Sequence, residues 1–440
     1  MILDKPFHRI VKFQVNGGLL LMFAALAAII VANTSLNNWY QSLWEHTICL
    51  QIGDFNLFSH GGHPITLKDF INDALMAVFF FAVGLEIKRE IMVGELSSIK
   101  KALLPVIAAF GGMIVPMMIY YLITRDTEAQ NGLAIPMATD IAFALGVLSL
   151  FGKRVPLSLK IFLTAFAVVD DIGGILVIAL FYTSHISIYY LLFSAPLLAF
   201  LTICNFSGVK SRWLYALGCV AMWYLFMQSG VHATIAGVLV AFTVPARPRA
   251  KIGSYVKSLH ESIERIPDSK SERIILNKEQ IEALHSVKSI TDDVISPLQF
   301  IEEFLHRPVN YFIMPLFAFA NAGVALTNGD GSIEIGILTW AVAISLLVGK
   351  FVGIYLFTWI VIKLRLTSMG EGMNWHNLTG ISLLGGIGFT VSLFIANLSF
   401  ADNALLLNQA KFGVIMGTVI SGILGYIVLS RTLCKEQLDC

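Results

Sequence analysis

Four charged side chains stand well inside apolar runs: Asp140 in PMATDIAFALG, the adjacent Asp170 and Asp171 in AFAVVDDIGGILVI, and Lys350 in AISLLVGKFVGIYLF. A charge near the centre of a bilayer costs at least about 2.5 kcal/mol even on a lenient insertion scale, so each needs a compensating reason. One aspartate with one lysine reads as a buried strut between helices; three carboxylates against one lysine do not. Asp170 and Asp171 project about 100° apart on a helix, because each residue turns by 360/3.6 degrees, so they face different neighbours. One of them can meet Lys350 while the other faces a cavity where a small cation finds oxygen ligands. A carboxylate that holds either a proton or a hard monovalent cation is the minimum equipment of an exchanger. The backbone near Asp140 points the same way. Gly132, Pro136 and Gly146 interrupt its run, and Thr139-Asp140 falls where Pro136 weakens the helical ladder. Leu384-Gly385-Gly386-Ile387-Gly388-Phe389 interrupts a later run in the same manner.

Other groups carry weaker signals. Glu86 and Glu90 share one helix face in GLEIKREIM, where Lys88 and Arg89 mark the membrane interface, and read either as a solvated helix end or as an acidic funnel that attracts cations. His232 in SGVHATIAGV begins an apolar run, either as an interfacial group or as a pH sensor. The five cysteines show no metal spacing, and His60 with His63 reads as loop. Gly413, Gly417, Ser421 and Gly425, spaced by four, read as a helix-packing stripe.

The elements that must position these groups follow from composition. Hydrophobic residues make up 56% of the 440 and charged residues 13%, about half the charge of a soluble domain. The net charge of +1 gives no reason to expect nucleic acid. Apolar runs lie near 16–34, 71–93, 103–123, 132–151, 157–182, 187–206, 212–228, 231–245, 309–327, 335–362, 377–399 and 406–430. The first is read as a retained helix, although Lys5, Arg9 and Lys12 before it also suit a signal peptide. Lys and Arg concentrate in alternate loops, while the opposite set carries only Lys68, Arg125 and Lys411, so both termini are expected in the cytoplasm. The expected fold is an all-α polytopic membrane protein of about twelve transmembrane helices. The fourth and eleventh are interrupted, each in the middle of one of two triplets of opposite sense. Residues 1–245 hold spans one to eight and the first triplet, and 309–440 hold spans nine to twelve and the second. Between them, 246–308 form a charged cytoplasmic loop, in which Lys278–His306 has the apolar spacing of an amphipathic helix. The segment 51–66 alternates polar and apolar residues before Gly61-Gly62, the pattern of a short extracytoplasmic β-hairpin or of a plain loop.

These motifs resemble the NhaA family of sodium/proton antiporters through nearly the whole chain. The strings that carry the likeness are INDALMAVFFFAVGLEIKRE, PMATDIAFALGVL, FAVVDDIGG, GVHATIAGV, PLFAFANAGV, VGKFVGI and GGIGFTVSLFIA. Inverted triplets are an attribute of that family, so the repeat reading and the resemblance are not independent. The resemblance implies that Asp171 is the main cation ligand with Asp170 beside it, and that Lys350 partners Asp170. It implies that Thr139 and Asp140 stand at the crossing of the interrupted helices, that Glu86 and Glu302 belong to a cytoplasmic pH-sensing region, and that 51–66 joins two subunits of a homodimer. One departure is visible: in SPLQFIEEFLHRP, Gln299 and Phe300 stand where well-known members have a basic pair, after roughly forty extra residues.

The expected activity is electrogenic, pH-regulated exchange that exports Na⁺, with Li⁺ as a second substrate, against entering protons. The expected location is a bacterial inner membrane. No cofactor and no enzymatic step are expected, and no GxxxxGK[ST] phosphate loop occurs. Two rivals use similar parts. A sodium-coupled symporter of an organic anion would use the same broken helices and would take up a labelled solute. An intramembrane aspartic protease would pair Asp140 with a later aspartate, but DDIGG lacks the GxGD context of such enzymes.

Overall fold

Inside a bilayer every backbone N–H and C=O must be satisfied within the chain, so the apolar runs have one stable solution, the helix. The computed structural model of the chain describes residues 17–247 apart from 50, 53–54, 57, 61–62 and 183–186, then 295–324 and 335–435. Val256, Lys278, Ile281, Glu282, Leu284, His285 and Val287 are also described. The helices are α1 (Gly17–Ala32), α2 (Asn37–Glu45), α3 (Leu67–Val93), α4 (Ile99–Thr124), α5 (Ile141–Ser149), α6 (Leu157–Phe181), α7 (Ile188–Phe206) and α8 (Arg212–Ser229). They continue as α9 (Ala233–Thr243), α10 (Pro297–Pro308), α11 (Met314–Asn321), α12 (Ile337–Lys363), α13 (Trp375–Leu384), α14 (Phe389–Ser399) and α15 (Ala404–Lys435).

Among the described residues six helices are long and apolar enough to cross a membrane, or nine if each of three bent pairs counts as one span. This is a mostly helical membrane protein. Large apolar side chains such as Phe23, Leu180, Phe181, Trp213 and Leu217 are exposed, the surface that lipid tails require. Two bent pairs fall at the interruptions read from sequence. Glu128–Met137 turns by 45° into α5, and α13 turns by 40° into α14. The third was not foreseen: α1 turns by 113° into α2. There Tyr40 and Trp44 bury against Phe319, and the Tyr40 hydroxyl donates to the Phe319 carbonyl at 2.5 Å.

Segment 51–66 forms two antiparallel ladders, Gln51–Ile52 with Phe55–Asn56 and Ser59–His60 with His63–Pro64. Helix α10 starts at a capping box in which Ser296 and Gln299 satisfy each other's backbone N–H. Its Leu298 and Ile301 are buried in a cluster with α8 and α9, and Phe300 lies 3.5 Å under the Arg212 guanidinium. Most of the rest of the expected loop helix, and most of 246–294, lies outside the described residues.

One basic residue differs from its expected place. Lys411, counted with an outer loop although it falls within the 406–430 run, lies inside α15 and is 4% exposed; at the start of that helix the Asn403 side chain accepts from the backbone N–H of Leu406. Lys88, expected as an interface marker, donates to the carbonyls of Phe242 and Val244 at 2.6 and 2.5 Å and so caps the C-terminal end of α9.

Helix α12 fixes where Lys350 points. A π-helical turn at Ser345–Gly349 precedes it, and Gly349 and Gly353 flank it. A Cβ on Gly353 would lie 2.1 Å from the Gly111 carbonyl oxygen, and one on Gly349 2.6 Å from the Pro116 Cα. Only glycine permits α4 and α12 to approach this closely.

Candidate functional site

The two broken pairs are sewn together at their breaks. The backbone N–H of Asp140 donates to the Ile387 carbonyl at 2.6 Å, and the Thr139 hydroxyl donates to the Gly385 carbonyl at 2.9 Å. In return the Ser392 hydroxyl donates to the Ile135 carbonyl at 2.7 Å. Carbonyls freed by one break are thus satisfied by donors at the other, which is how non-helical backbone is tolerated away from water.

Asp140 sits at the start of two helices. It caps α5 by accepting from the Phe143 N–H at 3.0 Å, and it accepts from the Thr390 N–H at 3.1 Å and the Thr390 hydroxyl at 2.6 Å in the first turn of α14. The partial positive charge of both N-termini offsets its negative charge. Sequence reasoning missed Thr390, although its place just after the second interruption mirrors that of Thr139-Asp140 at the first.

The paired aspartates of α6 have different surroundings. Asp170 is fully buried and its Oδ2 accepts from Lys350 Nζ at 2.7 Å, with Lys350 also fully buried. Asp170 Oδ1 has no hydrogen-bond partner among the described residues. Asp171 is 5% exposed and lines a cavity of about 520 Å³. No hydrogen bond or ion pair reaches Asp171 among the described residues. The 100° offset between neighbours on a helix therefore gives one carboxylate a lysine and the other an open space.

The cavity runs from Glu86, Arg89, Glu302 and His306 down to Asp171, Thr139, Asp140 and Thr390. At its upper end Arg89 is the hub, 2.7 Å from Glu302, 3.0 Å from Glu90 and 3.9 Å from Glu86. Three carboxylates share one guanidinium, so this end is acidic. Burial pushes the Glu302 carboxyl above its ordinary range, Arg89 opposes this and Glu90 adds to it. Glu90 accepts from the Glu95 N–H at 3.1 Å and turns away from the cavity. His232 is not part of this assembly: it precedes α9 and its Nε2 contacts the Tyr182 carbonyl at 2.6 Å. The site thus gathers Thr139, Asp140, Asp171, Glu86 and Glu302 around one space, with Asp170 and Lys350 paired behind it.

Residues 8–429 match the family described as Na+/H+ antiporter 1. A protein of Phocaeicola vulgatus named Na(+)/H(+) antiporter NhaA is 62% identical over 434 residues, covering 99% of this chain and 97% of its own length. Proteins of the same name from Bacteroides thetaiotaomicron and Helicobacter pylori are 56% and 44% identical, over 98% and 97% of this chain and 99% and 95% of their own lengths.

Proposed function

This chain belongs to the Na+/H+ antiporter 1 family, and from that premise we propose that it is a secondary transporter that exchanges Na⁺ for H⁺ at Asp171. The observation that carries this reading is the contrast within the pair: Lys350 engages Asp170 at 2.7 Å, while Asp171 faces the cavity with no hydrogen-bond or ion-pair partner among the described residues. A carboxylate in that position holds a proton or a sodium ion, and each displaces the other. Asp140, Thr139 and Thr390 supply further oxygens at the same depth, of the kind a hard monovalent cation takes in place of its hydration water. Na⁺ is cargo, and no resident metal or cofactor enters the cycle. Proton and cation use one site in turn, with access alternating between the two faces of the membrane, so the proton gradient drives export without a nucleotide.

The finer assignments belong to the same proposal. The chain has twelve spans, the fourth and eleventh interrupted, in a bacterial inner membrane with both termini cytoplasmic. The Glu86, Glu90, Arg89 and Glu302 end is then the cytoplasmic mouth, where a cluster of carboxylates concentrates cations and responds to pH. Exchange is electrogenic and Li⁺ is a second substrate. The 51–66 segment joins two copies, an assignment supported by its short antiparallel ladders alone. The comparisons support neither organic-anion symport nor aspartic proteolysis.

Everted membrane vesicles test the reading. With an acid interior set by respiration, addition of Na⁺ or Li⁺ collapses the pH gradient within seconds, and K⁺ does not. A gradient that survives Na⁺ at every pH tested overturns it.

A further inference from the structure

The helices that build the floor of the cavity meet again in two layers beyond it. Starting from Thr390, α14 carries Phe394 and then Asn397 on the same side, seven residues or about 10 Å along its axis. The Phe394 ring lies 6.4 Å from Phe317 of α11 and 5.8 Å from Phe80 of α3. One turn further, Asn397 Nδ2 donates to Asn321 Oδ1 at 3.0 Å, and Asn321 Nδ2 donates to Asn72 Oδ1 at 2.8 Å. Asn321 is fully buried, and it also donates to the Phe317 carbonyl at 3.1 Å. A phenylalanine layer is therefore topped by a chain of three amides contributed by the same three helices. None of these six residues lines the cavity.

The two amide bonds are not equivalent. Asn72 and Asn321 belong to α3 and α11, which stand outside the two broken triplets. Asn397 belongs to α14, which carries Thr390 to the site. The Asn397–Asn321 bond thus ties α14, which carries Thr390 to the site, directly to α11 outside the triplets. Motion of α14 away from α11 to open a route from the far surface has to part this bond and the ring contacts beneath it.

We propose that the Asn397–Asn321 hydrogen bond, backed by Asn72 and the phenylalanine layer, is the latch that keeps the second access route closed while the cavity is open on the acidic side. The proposal rests on the antiporter reading, because only alternating access requires the route to open. Amides suit a latch that is used repeatedly. Closed, they satisfy each other, and parted into an opened route, they are satisfied by water. The equilibrium then depends on the small net value of one hydrogen bond and not on the full cost of stripping a polar group. An apolar pair at the same place would have to be hydrated at each opening.

The test uses the full-length protein in a background whose five cysteines are replaced by serine or alanine. In one arm, Asn321→Cys with Asn397→Cys is joined by a short reducible bis-methanethiosulfonate. Na⁺-driven collapse of the pH gradient is lost on cross-linking and returns with reductant. In the other arm, Ala318→Cys, one turn below Asn321 and fully buried, reports opening through its labelling by a membrane-impermeant maleimide from the far side. Adding Asn397→Ala raises the labelling rate about fivefold, the factor that one net hydrogen bond represents. Exchange that continues in fully cross-linked protein, or labelling unchanged by Asn397→Ala, overturns the latch. Failure of the cysteine-free background itself to exchange Na⁺ for H⁺ would instead count against the antiporter reading, and the labelling arm still decides whether the amides hold the route closed.

Discussion

The buried pair between Asp170 and Lys350 makes a quantitative prediction. Both side chains have no exposed surface, their charged atoms are 2.7 Å apart, and Asp170 Oδ1 has no hydrogen-bond partner among the described residues. Removing Lys350 as Lys350→Met strands a buried carboxylate, and Asp170→Asn strands a buried ammonium. Breaking a buried pair by removing one partner costs about 3–5 kcal/mol. The double variant leaves no orphan charge, and two neutral side chains of similar volume often fill such a site at little cost. The singles sum to about 6–10 kcal/mol while the double variant costs little, so the expected coupling is large, above about 3 kcal/mol in favour of the double variant. Equilibrium unfolding of the purified protein in mixed micelles, for all four members of the cycle, measures it. Lys350→Arg keeps the charge and should retain more stability than Lys350→Met. Single-variant costs that add to within about 0.5 kcal/mol refute the reasoning, because contacting charges in a dry interior cannot act independently.

Two further predictions follow from the surroundings of the site. Gly353→Ala places a Cβ 2.1 Å from the Gly111 carbonyl oxygen, backbone that cannot step aside, so α4 and α12 separate and Lys350 moves with them. The expected loss is about 1–3 kcal/mol of stability, with slower Na⁺-driven exchange in vesicles; unchanged stability would show that the helix contact is looser than described. Glu302 has its proton affinity raised by burial, so the stability contributed by the protonated form is complete below its ordinary value of 4.5 and is lost as pH rises through the elevated folded value. Glu302→Gln removes this dependence, and its melting temperature should therefore gain on that of the unaltered protein as pH rises from 4.5 toward neutrality. A difference that does not change with pH would show that Arg89 cancels the burial.

The charged residues in apolar runs were legible because intramembrane charge is too costly to be incidental. The divergence of Asp170 and Asp171 followed from helical geometry alone. The breaks near Pro136 and at the Gly385–Gly388 stretch were legible because proline and glycine remove or loosen helical hydrogen bonds. Thr390 was not, since a threonine in an apolar helix has no pattern that separates a ligand from a packing residue. Arg89 read as an interface marker because its convergence with Glu302 joins residues 213 positions apart. Lys411 was misplaced because charge counting assigns a lysine near a helix end to the loop, although the 406–430 run already contained it. The turn from α1 into α2 depends on Tyr40 and Trp44 meeting Phe319, a tertiary contact with no local signal.

The central claim is that Asp171 carries either a proton or a sodium ion, and proton release on Na⁺ binding tests it without membranes or gradients. Purified protein in lightly buffered detergent solution is titrated with NaCl, with choline chloride as the control, while a soluble indicator reads pH. The account predicts protons released in proportion to protein, saturating with Na⁺, and no release from Asp171→Asn at matched folding. Equal release from Asp171→Asn would contradict it, and would place the exchange at another carboxylate.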